Sequence, residues 1–198
     1  MESIPESFAA TRDALHALAE HTIAPAREAV TGRIGLRALP GGFGTPVFGD
    51  RRRLRVEGVE LVVEEGGDEE RRPIDVDPVA ARVLADFSAF VTATLEELAR
   101  GNHALQPSMI QLWPEHFDVA MELGPHPNRA VFGGSPGDGD HPEPYLYVGP
   151  WEAPPPGELW NANGFPGAEL PYAELVAASD PYAVALDFYR ARLEALTA

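Results

Sequence analysis

The sequence predicts an α+β fold in which helices near the N-terminus, at the centre and at the C-terminus cover mainly antiparallel sheets. Three observations carry this. Apolar residues recur at helical spacing in three separate stretches and at a period of two between them. The pairs Asp77-Pro78 and Asp180-Pro181 each join an N-cap residue to a proline at the first helical position. The resulting order is helix, strands, helix, strands, helix, which suits layered α+β domains, and no period of a repeat architecture interrupts it. With 198 residues and 44% hydrophobic content the chain suits one domain over 1–198, for which 1–101 and 102–198 are candidate sub-halves packed together.

The elements are justified in turn. Ser3 and Glu6 have capping-box spacing, and Phe8, Leu15, Leu18 and Ala19 then share a face, so the chain opens with a helix that Pro25 should break or kink. From Arg33 the period is two, with Ile34, Leu36 and Ala38 alternating against Arg33, Gly35 and Arg37, and the loop Pro40 to Gly44 ends that strand. Leu54 to Glu57 and Val59 to Glu64 read as two strands, closed by Gly66-Gly67 and a charged tip running through Arg72. Val79, Val83, Leu84, Phe87, Phe90, Val91, Leu95 and Leu98 form a long apolar stripe ending at Gly101. Met109 to Trp113, Phe117 to Leu123, Arg129 to Phe132 and Tyr145 to Val148 follow as strands bounded by Pro or Gly. Pro150 to Pro171 carries little periodicity and reads as an ordered irregular loop, since its Trp151, Trp160 and Phe165 are foreign to disordered linkers. Tyr182, Ala185, Leu186, Tyr189, Leu193 and Leu196 line one face of a last helix.

Composition removes whole classes of function. The chain has no Cys, which excludes thiol catalysis, thiolate zinc sites and disulfides. Its formal charge is −16, so nucleic acid and anionic membrane are not expected partners, because phosphate binding needs a basic footprint. Every basic residue is Arg, which excludes Schiff-base chemistry and a P-loop lysine. No basic start leads into an apolar run and no stretch approaches a membrane span, so the cytoplasm is the expected location.

The chain resembles a family of uncharacterised proteins from high-GC, actinobacterial-type bacteria. The residues that carry the resemblance are Trp113, Phe117-Asp118-Val119-Ala120, Ser135-Pro136-Gly137, Tyr145-Leu146-Tyr147, Glu169-Leu170-Pro171-Tyr172 and Ser179-Asp180-Pro181, with the helix over 10–24. The resemblance implies a shared fold and, because that family has no assigned activity, carries over no catalytic residue.

The stretch from Trp113 to Tyr147 concentrates the candidate chemistry. On strands, residues two apart share a face, so His116 with Asp118 and His141 with Glu143 would each present an imidazole beside a carboxylate. Together they would form a nitrogen and oxygen donor set suited to Zn, Fe or Mn. The spacing has a partial likeness to the cupin motifs, with Asp118 where that family has a histidine. Asp138-Gly139-Asp140 is a fragment of a calcium loop, without the third ligand position or the distant Glu. Gly133 to Gly137 runs into carboxylates and is no phosphate cradle, and Pro136 after Ser135 removes the N–H that a nucleophile elbow requires.

An aromatic wall is the other candidate: Trp113, Tyr145, Tyr147, Trp151 and Trp160 would line a ligand pocket, with Phe117 in the core. The leading functional reading is therefore a small-molecule binding or accessory module with an acidic, aromatic-lined pocket in the 113–151 region. The alternatives are a metal-dependent enzyme using the His/carboxylate set and a protein-interaction module using the Pro-rich loop and acidic surface. The sequence selects neither a protein partner nor an oligomeric state.

Overall fold

A computed structural model describes residues 2–139, 141–154 and 156–198. Ten strands form two antiparallel five-stranded sheets, one in the order β1-β2-β3-β4-β5 and one in the order β10-β9-β8-β7-β6, with helices at the N-terminus, centre and C-terminus. The expected α+β class is the observed one. The chain divides into two units, an N-terminal one over 2–89 with 111–119 and a C-terminal one over 90–110 with 120–198.

In the N-terminal unit, α1 (Phe8–Leu18) starts after Ser7, with Ser3 upstream of it outside regular structure. Pro25 does not end the helical run. It lacks an N–H and its ring opposes the carbonyl one turn back, and the turn before it widens into a π segment (Ala19–Ile23) from which α2 (Ala24–Thr31) continues. Gly32 then caps the run with φ 66°.

The first sheet is a meander of β1 (Arg37–Leu39), β2 (Gly42–Gly44), β3 (Arg53–Glu57), β4 (Glu60–Glu65) and β5 (Asp68–Pro73). Two of its strands depart from the sequence reading. The glycine cluster is not only a loop: Pro40 and Gly41 turn, and Gly42 to Gly44 pair with β3, where a Cβ at Gly42 would strike the Val56 carbonyl. The charged tip is itself a strand, fully exposed, held to β4 by its backbone and by ion pairs rather than by apolar burial.

Those ion pairs form a ladder on one face of the sheet. Arg55 reaches Glu57 (2.6 Å), Glu64 (2.5 Å) and Glu69 (3.0 Å), while Arg71 reaches Glu57 (2.9 Å), Glu60 (3.0 Å) and Glu69 (2.7 Å). The opposite face is apolar, with Phe43, Leu54, Val56 and Leu61 buried. Phe43 and Val56, with Leu15, Ala81, Leu84 and Phe117, line a void of about 10 Å³, room for at most one water.

Helix α3 (Pro78–Gly101) starts as expected, with Asp77 accepting from the amides of Val79 (2.9 Å) and Ala80 (2.8 Å). Among the described helices it alone is long and apolar enough to cross a membrane, and half of its apolar stretch is buried within the protein, as a core helix requires.

The second sheet contains β6 (Gln111–Trp113), β7 (Asp118–Leu123), β8 (Ala130–Ser135), β9 (Tyr145–Pro150) and β10 (Ala168–Pro171). In the C-terminal unit its inner face buries Phe132, Leu146, Val148 and Ala168. Gly134 makes room there for Val91 of α3, whose methyl groups would meet a Cβ at that position. A short helix, α4 (Tyr172–Ala177), leads to α5 (Pro181–Thr197), capped by Asp180 accepting from Ala183 N–H at 3.0 Å. The stretch read as an irregular loop is irregular only to residue 167, after which β10 pairs with β9 and α4 follows.

Candidate functional site

Register places the aromatic residues of β9. Tyr145 lies opposite Ser135 and Pro171, and Tyr147 opposite Gly133 and Glu169, so both tyrosines share the outer face of the sheet. Gly133 carries no Cβ because the Tyr147 ring lies across it, with the ring and hydroxyl 2.7 Å from where that atom would be. The rings form a chain: His141 to Tyr145 at 4.8 Å, Tyr145 to Tyr147 at 6.2 Å, and Tyr147 edge-on to Phe165 at 6.5 Å.

His141 finds a carboxylate here, but not the expected one. Its Nε2 lies 3.5 Å from Glu169 Oε2 and its Nδ1 3.7 Å from Asp138 Oδ1, whereas Glu143 is exposed. Asn161 holds Glu169 by a reciprocal pair of hydrogen bonds, donating to its carbonyl (3.0 Å) and accepting from its amide (3.1 Å). Glu169 and Phe165 were missed because they lie in the stretch read as irregular. The signal that could have found Glu169 is the alternation Ala168, Leu170 against Glu169, Pro171.

Asp138 is committed locally. Its Oδ1 accepts from His141 N–H at 2.8 Å, and its own N–H donates to the His141 carbonyl at 2.7 Å. Asp140, the other member of the calcium-loop fragment, lies outside the described residues. Ser135 Oγ likewise accepts from Gly137 N–H at 3.1 Å, which gives it a structural task.

The remaining expected residues are placed elsewhere. Trp113 ends β6 in the N-terminal unit, where His116 is exposed in the turn 114–117 and Asp118 is buried at the start of β7. His116 and Asp118 therefore do not share a strand face, because the chain turns between them, with Phe117 at φ 55°. Phe117 is core, stacked on His16 at 5.4 Å and edge-on to Phe43 at 5.0 Å. Among the described residues no three His, Asp or Glu side chains converge as a metal donor set. Trp160 is half-buried, its amide donating to Gly157 O at 3.3 Å.

Trp151 stands at the other end of β9 and is 49% exposed. His126 meets its ring edge-on at 5.3 Å and the Arg129 guanidinium lies 5.9 Å from the ring centre. Arg129 is fixed in turn, donating to Glu122 Oε2 (3.3 Å), Gly124 O (3.0 Å) and Gln106 O (3.1 Å). Beside this post opens a cleft of about 350 Å³, lined by Asn128, Arg129, Pro150, Glu152, Ala153 and Leu196 among others. Its size falls within the range of small-molecule sites, and Pro150 and Glu152, the chain neighbours of Trp151, form part of its wall.

No family model, no curated protein and no solved structure matches the chain. Its chemistry must be argued from this geometry. The cleft has a mainly polar lining that includes Asn128 and the carboxylate of Glu152, with Pro150, Ala153 and Leu196 as its apolar part, while the nearby cation is engaged by carbonyls and Glu122. Such a site can hold a small amphipathic molecule and orient it by a cationic or hydrogen-bonding group. Among the described residues that line it, no nucleophile and base lie within hydrogen-bond reach of each other.

Proposed function

We propose that the chain is a binding module that takes a small neutral or cationic organic molecule in the cleft beside Trp151. The observation that carries the reading is the adjacency of a cleft of about 350 Å³, walled in part by Pro150 and Glu152, to their chain neighbour Trp151, half exposed, with His126 edge-on to its ring and the Arg129 guanidinium 5.9 Å from its centre. A large aromatic left open in a braced position supplies binding area without the entropic cost of ordering it on association.

Charge selects the ligand class. The chain carries −16 and the cleft presents Glu152, so anions are repelled while amines and neutral heteroaromatics are accepted. Arg129 does not reverse this, because its guanidinium already serves the Glu122 carboxylate and three backbone carbonyls. The reading keeps the acidic, aromatic character expected from the sequence and moves its centre from Tyr145 and Tyr147 to Trp151.

A thermal-shift screen of amine, heteroaromatic and carboxylate fragments tests it. Hits drawn from the first two groups that disappear in Trp151→Ala support the proposal. Hits drawn mainly from carboxylates, or unaffected by Trp151→Ala, count against it.

A further inference from the structure

We propose that the chain self-associates weakly through its edge strand β5, joining two copies of the β1–β5 sheet into one continuous antiparallel sheet. β5 ends that sheet, pairs with β4 on one side, and is exposed along its whole length. Its backbone is set for another strand. Ile74 N–H donates to Val59 O at 2.8 Å, in register with Glu60 opposite Pro73. Antiparallel alternation then turns the peptide groups of Glu70 and Arg72 toward β4 and those of Glu69 and Arg71 outward.

The side chains choose the occupant. Asp68-Glu69-Glu70-Arg71-Arg72 is acidic at one end and basic at the other, so run antiparallel it is its own complement. A two-fold axis normal to the sheet makes one residue face itself. Centred on Glu70, it sets Glu69 against Arg71 and Asp68 against Arg72, each twice by symmetry, and the outward peptide groups of Glu69 and Arg71 exchange hydrogen bonds. Centred on Glu69, it would oppose Glu69 to itself and Asp68 to Glu70. Centred on Arg71, it would oppose Arg71 to itself and leave Glu69 facing Pro73, which has no N–H to give.

Only the Glu70-centred register satisfies both charge and backbone. Asp68 has no ion-pair partner in the chain among the described residues; Arg72 already donates to Glu70 of its own strand (2.8 and 2.9 Å), and in the pair of copies Asp68 of one joins the Arg72–Glu70 pair of the other. The like-charged contact at Glu70 and the net charge of −16 keep the association weak. Charges on a free edge discourage pairing with foreign strands, and here the same charges admit a second copy.

The absence of cysteine makes the test clean. In Glu70→Cys the new thiol faces its symmetry mate across a non-hydrogen-bonded pair, about 4.5 Å between Cα atoms and within disulfide reach. Under mild oxidant it is expected to form covalent dimer severalfold faster than Asp50→Cys, an exposed loop control. Sedimentation velocity of the unmodified chain is expected to show mass rising with concentration, less steeply as salt is raised. Arg72→Glu should abolish that rise and Asp68→Arg with Arg72→Glu should restore it. Equal oxidation rates for the two cysteine variants, a mass independent of concentration at low salt, or no rescue by the double substitution would each overturn the proposal.

Discussion

Tyr189 of α5 donates its hydroxyl to the carbonyl of Gly133 in β8 at 2.9 Å, with its side chain wholly buried. The bond crosses from helix to sheet in the C-terminal unit, and the ring beneath it packs edge-on against Phe132 at 6.0 Å. It ties α5 to β8 at the glycine across which the Tyr147 ring of β9 lies, so the last helix and the aromatic face meet at one residue.

Replacing Tyr189 by Phe keeps the packing and removes the hydroxyl, leaving a buried carbonyl without this donor. The expected cost is about 1–2 kcal/mol, read as a lower urea midpoint with an unchanged denaturant slope.

Burial pushes the Tyr189 phenol far above its ordinary value. The folded state holds the proton more tightly than the unfolded one, so this contribution is complete below the ordinary phenol value of about 10 and is lost as pH rises beyond it. Thermal midpoints of the unmodified chain should therefore fall above about pH 10 more steeply than those of Tyr189→Phe.

The Arg55 and Arg71 guanidinium groups, hydrogen-bonded to Glu57 and Glu69, hold both carboxyls below the usual carboxylate range. Depressed values make the sign opposite to that of Tyr189: stability is present above the ordinary carboxylate value and is lost as pH falls through the lower folded-state value. Arg55→Ala is expected to lower the thermal midpoint at neutral pH and to flatten the acid limb of midpoint against pH, since Glu57 and Glu69 keep Arg71 but lose one of the two cations that made their protonation costly.

Gly42→Ala tests the close approach of β2 to β3. A methyl group there meets the Val56 carbonyl, a rigid backbone atom, and the strands must separate. The expected loss is about 1–3 kcal/mol by chemical denaturation, against little change for Gly149→Ala in β9, where no atom lies within reach of a Cβ and the backbone is not left-handed.

The fold class and the order of elements were legible because they rest on periodicity and capping. The two Asp-Pro starts and the stripe from Val79 to Leu98 coincide with α3 and α5. β5 was illegible because Asp68 to Pro73 has no apolar face; salt bridges across the sheet replace the alternation that marks a strand. Pro25 misled because a π turn can absorb the lost hydrogen bond, and nothing in the residues from Ala19 to Ile23 announces one. At the candidate sites, the sequence located Tyr145, Tyr147, His141 and Trp151. It could not choose their partners, since His126, Arg129 and Glu169 are brought to them by turns and strand register rather than by spacing along the chain.

The central claim, a small molecule bound beside Trp151, is tested most directly through the indole N–H signals of isotope-labelled protein. The Trp151 signal is assigned by its loss in Trp151→Phe, and the sample is titrated with benzylamine. The account predicts a saturable shift of the Trp151 indole while those of Trp113 and Trp160 stay in place. A Trp151 signal that does not move, or three indole signals that drift together without saturation, would contradict it.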